Sequence, residues 1–345
     1  MLNSCRFGVQ FSNKNILVTG GTGFIGSNLV QYLCRSGAKV RVVSRDKHDA
    51  KKRDNNDNNN DNNDVNNDVN NDVNFVYGDL TRIDACQNAV KDVDYVFHLA
   101  ASGGGLIYNM KHPAETFTPN ILMNTNMLEA SKNEGVEKYL FCSSSSVYPP
   151  DLDLLEEDKA WQANPHESDS FFSWSKRMGE LQALAYKEEY GMKIAIARLG
   201  NPYGPRDNFD PDSAHVIPAL IVRAVSKENP FVVWGSGEGV RSFVHVRDVV
   251  EALALIIDRY AVCDPVNVAS GESVRIKDVV QLILEMTDYH GDLKFDTSKK
   301  EGHLFKVMSI EKLIQRVGYT PKINLREGLK DTIEWYMQHK YAAKK

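Results

Sequence analysis

Three glycines with G-x-x-G-x-x-G spacing are the first residues whose pattern indicates chemistry. Gly20, Gly23 and Gly26 follow the apolar run Ile16–Val18 and precede a stretch with helical periodicity. Such a turn needs one glycine for a tight bend, one where backbone approaches a pyrophosphate, and one where helix packs on strand. The helix N-terminus adds free N–H groups and the positive end of its dipole. The spacing predicts a dinucleotide-binding turn, and a βα turn that binds nothing is the alternative.

Two further segments have the composition of a cofactor pocket. Asp79, in Gly78-Asp79-Leu80, could accept a hydrogen bond from an adenine amine, although a lone aspartate is more often a helix N-cap and could be both. The run His98–Ala101 ends a strand with small residues that a flat ring could approach, while His98 itself is more typical of a structural histidine. The cofactor contacts predicted from these segments are Gly20, Thr22, Gly23, Phe24, Ile25, Gly26, Asp79, Leu80, Leu99, Ala100 and Ala101.

The residues after the second strand bear on the choice between NAD and NADP. A carboxylate at this point usually binds the ribose hydroxyls of NAD. The sequence has Ser44 there, followed by Arg45, and a guanidinium binds a 2′-phosphate as a bidentate fork. The pair favours NADP. NAD stays possible because Asp46 would restore the acid after a shift of one residue.

Four consecutive serines, Ser143–Ser146, follow an apolar strand and are candidates for contact with a substrate. Ligands of doubly wound sheets bind at the carboxyl edge of the strands. A hydroxyl there can hydrogen-bond a sugar hydroxyl or a carbonyl. The run continues to Tyr148. A polar strand-to-loop turn is the alternative.

The elements that must position these residues alternate between strand and helix through the first 200 residues. Strands are predicted at 16–19, 39–44, 74–77, 95–100, 138–143 and 193–198, with helices at 27–36, 83–91, 121–133 and 173–190. This rhythm predicts an α/β fold with a doubly wound parallel sheet of the Rossmann type. Residues 14–200 are therefore predicted to form a dinucleotide-binding domain, after an N-terminal extension at 1–13.

The regular alternation of strands and helices ends near residue 200, where a loop rich in Pro, Gly, Asn and Asp begins. The predicted strands and helices that follow are more widely separated. Residues 201–340 are predicted as a smaller, mixed substrate-binding lobe, some of whose strands return to the first sheet. Residues 54–74 contain twelve Asn, six Asp and three Val. Such a low-complexity insertion cannot bury enough apolar area to offset its ordering entropy. A calcium-binding loop is the alternative, although the EF-hand glycine and glutamate are missing.

Composition argues against several classes of function. The six aspartates of the insertion account for the net charge of −5, so the remainder of the chain is near neutral, which argues against a nucleic-acid surface. Five cysteines without C-x-x-C spacing support neither a disulfide framework nor a zinc site, so we expect no metal and a reducing cytoplasm. No apolar run approaches membrane-spanning length, and Met1–Asn13 makes a poor signal peptide.

The motifs above, together with Phe172–Lys176, resemble in order and spacing the extended short-chain dehydrogenases/reductases. This family contains sugar-nucleotide epimerases, dehydratases and reductases. The resemblance covers roughly residues 14–340 and is closest to the GDP-L-fucose synthase group. The strings that carry this closer match are Pro202–Phe209, His215–Leu220, Val233–Gly237 and Arg241–Val246. The resemblance implies a nicotinamide cofactor, a nucleotide-sugar substrate and a homodimer.

The resemblance also implies roles for single residues. Ser144 would hydrogen-bond the reacting oxygen, Lys176 would bind the nicotinamide ribose and lower the pKa of a neighbouring tyrosine, and His215 would act as acid and base beside a ketone. The implied substrate contacts are Ser144, Ser145, Asn201, His215, Arg223, Trp234 and Arg241, with both arginines facing the diphosphate. A solvated helix charge for Arg223 and a core position for Trp234 are the alternatives.

The sequence departs from the family pattern at two catalytic positions. Phe172 stands where the Y-x-x-x-K motif has its tyrosine, and phenylalanine cannot exchange a proton. General acid–base catalysis contributes about 10²–10⁴-fold, so carbonyl reduction should be slowed by that order unless Tyr148, Ser144 or water substitutes. Ser146 stands where the fucose synthases have a cysteine, and a serine hydroxyl is far less acidic than a thiol. Epimerisation by a cysteine–histidine pair is therefore also in question.

Three hypotheses follow from this combination. The first is an NAD(P)-dependent epimerase/reductase that transfers hydride at a sugar carbon of a GDP-linked or other nucleotide-linked hexose. The second is a catalytically impaired protein of the same fold that binds cofactor and nucleotide sugar. The third is an engineered Tyr-to-Phe change at position 172 that traps ligand.

Overall fold

A seven-stranded sheet of parallel strands lies at the centre of the protein. It is seen in a computed structural model that describes residues 9, 11–45, 73–104, 106–167, 170–211, 213–298 and 305–340. The strands are β1 (Asn15–Thr19), β2 (Lys39–Ser44), β3 (Val73–Tyr77), β4 (Tyr95–His98), β5 (Lys138–Ser144), β6 (Leu154–Leu155), β7 (Ile194–Leu199), β8 (Asn201–Tyr203), β9 (Phe231–Trp234), β10 (Val240–Arg241), β11 (Phe243–His245), β12 (Pro265–Val268), β13 (Val274–Arg275), β14 (Leu293–Asp296) and β15 (Phe305–Met308). The α-helices are α1 (Phe24–Arg35), α2 (Ile83–Val90), α3 (Leu106–Lys111), α4 (Pro113–Glu134), α5 (Ser170–Tyr190), α6 (Val216–Val225), α7 (Val246–Arg259), α8 (Ile276–Met286) and α9 (Leu325–Lys340).

The central strands have the order β12-β7-β5-β4-β1-β2-β3. The chain enters at β1 and runs outward through β2 to β3. It then crosses back to β4 and continues through β5, β7 and β12 in the other direction. The order reverses between β1 and β4, which is where doubly wound sheets bind ligands outside the carboxyl ends of their strands. The predicted fold class, a doubly wound parallel sheet, is confirmed.

Helices cover both faces of this sheet, as the alternate residues of β1 illustrate. Ile16 and Val18 pack into a cluster that includes Leu29 of α1 and Val249 of α7. Leu17 belongs to a second cluster, formed with residues of α2, α4 and α5. Because both faces are buried, the central strands appear in the sequence as continuous apolar runs. None of the described helices is long and apolar enough to cross a membrane.

The C-terminal elements build a third apolar cluster from α6, α8, α9 and β9, around Ile221, Phe231 and Ile283. The smaller sheets have the orders β13-β10-β15-β6, β11-β8 and β14-β9. β12 returns to the central sheet beside β7, and β6 joins the four-stranded sheet through β15. The C-terminal elements are therefore interleaved with the first half of the chain.

The structure differs from the sequence prediction mainly at helix starts. α1 begins at Phe24 instead of the predicted Ser27, because Gly23 serves as its N-cap. α4 begins at Pro113 and not at Ile121, since proline is accommodated at the first helical position. The sequence pattern also gave no sign of α3.

The predicted insertion and extension are only partly within the described residues. Of residues 54–74, the structure describes Val73 and Asn74, which begin β3, and the remainder lies outside the described part. In the predicted extension at 1–13, Phe11 is buried and packs edge-on against Tyr95, with ring centroids 6.1 Å apart. At least this residue therefore belongs to the core.

Candidate active site

The glycine turn between β1 and α1 lies so close to neighbouring backbone that it cannot accept a side chain at Gly26 and has little space for one at Gly20. Gly20 has a φ of +68°, and a Cβ there would lie 3.0 Å from the backbone nitrogen of Ala100. A Cβ at Gly26 would lie 2.1 Å from the carbonyl oxygen of Gly20. No described side chain caps the N-terminus of α1, and its first turn has no acidic residue. The turn therefore fits the pyrophosphate of a dinucleotide, with N–H groups and a positive dipole end directed toward it.

His98 connects the end of β1 to helix α4 through its two ring nitrogens. The Thr19 hydroxyl lies 2.9 Å from His98 Nδ1 and accepts a hydrogen bond from the backbone N–H of Ala100. His98 Nε2 lies 3.1 Å from Asn124 Oδ1, so this nitrogen carries the ring proton and Nδ1 accepts from Thr19. Burial, together with the Lys176 ammonium, lowers the pKa of His98 to about 3. His98 is therefore a neutral structural histidine, as the sequence favoured.

The predicted adenosine-side residues lie at the ends of β2 and β3. Ser44 is buried, and its carbonyl accepts a hydrogen bond from Gly78 N–H. Arg45 is exposed at the same edge, whereas Asp46 lies outside the described residues. Asp79 Oδ1 accepts from Thr81 N–H at 3.0 Å, and this bond is the main cause of the lowered pKa of the carboxyl, with Arg45 adding to it.

Other predicted contacts near this edge have mixed exposure. The N-cap of α2 is Arg82, so the alternative of Asp79 as that N-cap is wrong. Leu80 is buried, whereas Thr22, Phe24, Ile25, Leu99 and Ala100 are half-buried and Gly23 and Ala101 are exposed.

The serine run forms a tight turn at the carboxyl end of β5. Ser144 is half-buried, and its Oγ accepts a hydrogen bond from Ser146 N–H at 3.1 Å. Ser145 is buried. The Ser146 hydroxyl is also buried, and it has no hydrogen-bond partner within the described part of the chain. The structure therefore contains a polar turn, and at least one of its serine hydroxyls makes no hydrogen bond to the described part of the protein.

Lys176 of α5 joins the serine turn. Its ammonium donates to the carbonyl of Cys142, two residues before Ser144, at 2.9 Å. The ammonium is buried, which lowers the pKa of Lys176. It lies 5.4 Å from the ring centroid of Phe141 and 5.6 Å from that of Phe172, so two aromatic faces surround it. The predicted pair, Ser144 and Lys176, is thus held at one end of β5.

Phe172 lies one helical turn before Lys176 and is half-buried. Its ring packs beside Gly103, where a Cβ would be 3.4 Å from Phe172 Cδ2. The ring therefore occupies the place of a motif tyrosine without supplying the hydroxyl.

Tyr148, which the sequence offered as a substitute proton donor, has a hydroxyl that is already hydrogen-bonded to two other side chains. Its hydroxyl donates to Asn267 Oδ1 at 2.6 Å and accepts from Arg198 at 3.2 Å. The side chain is buried, which raises the pKa of Tyr148. A fully bonded, buried phenol of raised pKa is a poor acid for an incoming substrate, which leaves Ser144 and water as candidates.

The predicted substrate residues of the C-terminal part are spread over several elements. Asn201 of β8 donates to the carbonyl of Ser242 at 2.8 Å, which brings it beside Arg241. His215 is the N-cap residue of α6 and is exposed. Trp234 ends β9 with 66% of its surface exposed, so the alternative of a core tryptophan is wrong.

Arg223 makes a bidentate ion pair rather than projecting as a free helix charge. Its guanidinium donates to both Glu228 carboxylate oxygens at 2.7–3.0 Å and to the carbonyl of Val232 at 2.7 Å. It also lies over the Phe231 ring. Contact with a diphosphate would require this pair to open.

Two ionisable residues near the matching strings were not among the predicted site residues. Lys306 is the register partner of Arg241 across β10 and β15, so two cationic residues stand side by side on parallel strands. Asp207 is 7% exposed, and its Oδ2 lacks a partner among the described residues. Burial raises its pKa to about 7. Neither the strand pairing nor the burial follows from local sequence pattern.

Comparison with known proteins decides the family. Residues 16–269 match the family model described as the NAD dependent epimerase/dehydratase family. The chain belongs to this family. The chain is 36% identical to the probable GDP-L-fucose synthase 1 of Oryza sativa subsp. japonica over 257 residues. The aligned region covers 73% of this chain and 78% of that protein. The motif resemblance is therefore confirmed, and it indicates an NAD(P)-dependent epimerase/reductase.

Solved structures agree with this assignment. A GDP-L-fucose synthetase from Naegleria fowleri bound to NADP has a TM-score of 0.76 and 26% identity, over 98% of this chain and 97% of that chain. UDP-glucose 4-epimerase from Thermotoga maritima with UDP-glucose has a TM-score of 0.79 and 27% identity, over 94% and 99% of the two chains. Within the described residues of the family member, no cluster of three or more His, Cys, Asp or Glu side chains could hold a metal ion.

Proposed function

We propose that this family member is an NADP-dependent nucleotide-sugar epimerase/reductase acting on a GDP-linked hexose. The observation that carries the proposal is the Lys176 ammonium bound to the Cys142 carbonyl, beside Ser144 and at the same sheet edge as the glycine turn. The dinucleotide-binding turn and the Ser144 hydroxyl, which can bind a reacting oxygen, therefore lie at the same edge of the sheet.

In this proposal, Lys176, Ser144 and His215 each have a separate role in the reaction. The nicotinamide supplies or accepts a hydride when it is bound. Lys176 holds the ribose through the N–H groups that Cys142 does not use, and Ser144 donates a hydrogen bond to the reacting oxygen of the sugar. His215, exposed at the start of α6, takes and returns a proton at the carbon beside the ketone.

Arg45 supports NADP over NAD. It is exposed at the end of β2, and the preceding Ser44 supplies no carboxylate for ribose hydroxyls. A guanidinium in this position matches a 2′-phosphate in charge and geometry. The relative from Naegleria fowleri is a complex with NADP, which agrees with this choice.

The nucleotide diphosphate is assigned to the C-terminal sheet. Arg241 and Lys306 are adjacent in the β10–β15 register, and Asn201 is bonded to the neighbouring Ser242. The exposed indole of Trp234 offers a face on which a base can stack. The guanine base rests on the likeness to GDP-L-fucose synthases.

A binding protein with impaired turnover is the second candidate, and Phe172 favours it. Loss of the phenol leaves Lys176 in place while removing the proton donor, so ligand binding would persist without rapid reduction. A homodimer is part of the proposal, because Leu122 of α4 and Leu181 and Leu184 of α5 are exposed on neighbouring helices.

Calorimetric titration of the protein with NADPH, NADH, GDP and UDP tests the binding claim. We expect NADPH to bind at least about tenfold more tightly than NADH, and GDP more tightly than UDP. Arg45→Ala should remove the cofactor preference, whereas Arg275→Ala, an exposed arginine on β13, should keep it. Failure of the protein to bind either reduced cofactor would contradict the proposal.

A further inference from the structure

A buried ion pair lies directly beneath the serine turn. Arg198 of β7 meets Glu180 of α5 in a bidentate arrangement, with Nε–Oε1 at 2.8 Å and Nη2–Oε2 at 2.7 Å. The two side chains are 1% and 4% exposed. A buried ion pair of this kind is weak evidence for a stabilising role, because desolvation offsets much of the attraction. Its position therefore needs another explanation.

The pair holds both ends of the turn that contains Ser144. On one side, the Ser143 hydroxyl donates to Glu180 Oε1 at 2.5 Å. On the other side, Arg198 Nη1 donates to the Tyr148 hydroxyl at 3.2 Å and to the carbonyl of Glu157 at 2.7 Å. Ser143 comes immediately before the turn and Tyr148 immediately after it. The ion pair is therefore bonded to the chain on both sides of Ser144.

Lys176 lies one helical turn before Glu180 on α5. Residues four apart lie on one helix face, with Cβ atoms about 5–6 Å apart. Burial lowers the pKa of Lys176, and Cys142, followed by the Glu180 carboxylate, acts against that by raising it.

The other groups near this ammonium are not anions at neutral pH. His98 on β4 is neutral, Cys142 on β5 is a buried thiol of raised pKa, and Arg177 and Arg198 are cations. Within the described residues, Glu180 is the carboxylate that acts on Lys176.

We propose that Glu180 is a positioning residue of the active site: it fixes the Ser144 turn through Ser143 and places a carboxylate one helical turn from Lys176, while Arg198 holds that carboxylate in place. This inference rests on the proposed cofactor site. It adds a residue that touches neither substrate nor cofactor, and it predicts how cofactor affinity depends on pH.

The test compares Glu180→Gln with Glu188→Gln, an exposed glutamate on the same helix. NADPH affinity is measured from about pH 6 to pH 10, with thermal unfolding recorded for each variant. Parent affinity should fall as Lys176 loses its proton, and the pH of half-loss should move down by about one unit in Glu180→Gln. Glu188→Gln should match the parent, and Lys176→Met should lose the transition. An unshifted transition in folded Glu180→Gln, or a transition that survives in Lys176→Met, would overturn the inference.

Arg198→Lys is the second variant, because it keeps the charge and removes the bidentate geometry. We expect NADPH to bind about tenfold more weakly to folded Arg198→Lys. If Glu180→Gln does not fold, parent-like affinity in Arg198→Lys overturns the inference. A parent protein that binds no cofactor would instead contradict the proposed function itself, so the two failures are distinguishable.

Discussion

At position 172 the side chain lacks one oxygen atom relative to the tyrosine of the family motif, and the consequences are local. Lys176 keeps its bond to Cys142, and the ring still packs beside Gly103. We therefore expect cofactor binding to be independent of the missing hydroxyl. We expect proton delivery to depend on it, because Tyr148 is fully engaged with Asn267 and Arg198. On the proposed function, the change would separate binding from turnover within a single site.

Asp207 gives a prediction for stability against pH. Its folded-state pKa of about 7 lies above the unfolded value, so the folded protein binds this proton more tightly. The stabilisation is complete below about pH 4 and is lost as pH rises through about 7. In Asp207→Asn, the fall in unfolding free energy between about pH 5 and pH 8 should shrink by about 2–3 kcal/mol, as measured by denaturant unfolding.

The control for this measurement is Asp153→Asn, because Asp153 is exposed. Its pH dependence should match that of the parent. Equal pH dependence in Asp207→Asn and the parent would mean that the Asp207 carboxyl is ionised in the folded protein near neutral pH.

At the scale of elements, short-range patterns predicted the most. The glycine spacing identified the β1–α1 turn, because a Cβ at any of the three glycines would lie within 3.1 Å of a backbone atom. Lys176 and Ser144 followed from a motif whose members the fold brings together. The start of α4 was missed because its first eight residues lack a clear apolar stripe, and helix formation there depends on tertiary packing.

The C-terminal helix depends on one buried carboxylate in α7. Asp248 accepts from the Tyr319 hydroxyl at 2.7 Å and from the backbone N–H groups of Lys322 and Ile323 at 2.9 and 3.0 Å. These bonds fix the segment that leads into α9. Asp248→Ala should lower the unfolding free energy by about 3 kcal/mol, because buried donors lose a charged partner.

Asp258→Ala, at the exposed end of the same helix, is the matched change and should cost less than about 1 kcal/mol. Chemical denaturation of both variants checks this. Similar midpoints for the two would argue that α9 is held by its apolar contacts instead.

At the scale of the whole molecule, contacts between distant parts of the chain decide what the site can do. The hydroxyl of Tyr148 donates its hydrogen bond to Asn267, 119 residues later in the sequence. Arg241 gains its cationic neighbour Lys306 through a strand pairing. No local pattern encodes either contact, so the sequence alone does not indicate which candidate side chains remain available to a substrate.

The proposed homodimer also belongs to this scale. Leu181 is 50% exposed on α5, and burial in a helix–helix interface would explain an apolar residue there. Leu181→Glu should convert the protein from dimer to monomer in sedimentation velocity. Leu293→Glu, at an exposed leucine on β14, should leave the dimer intact. A monomeric parent protein would remove the dimer from the proposal.

The central claim is that the site binds its ligands while Phe172 limits turnover. The most direct measurement is the initial rate of NADPH oxidation with a GDP-linked 4-keto-6-deoxyhexose, for the parent protein and for Phe172→Tyr. We predict that the tyrosine variant is faster by about 10²–10⁴-fold, with NADPH affinity unchanged within about twofold. Equal rates in the two proteins, whether both fast or both absent, would contradict the account.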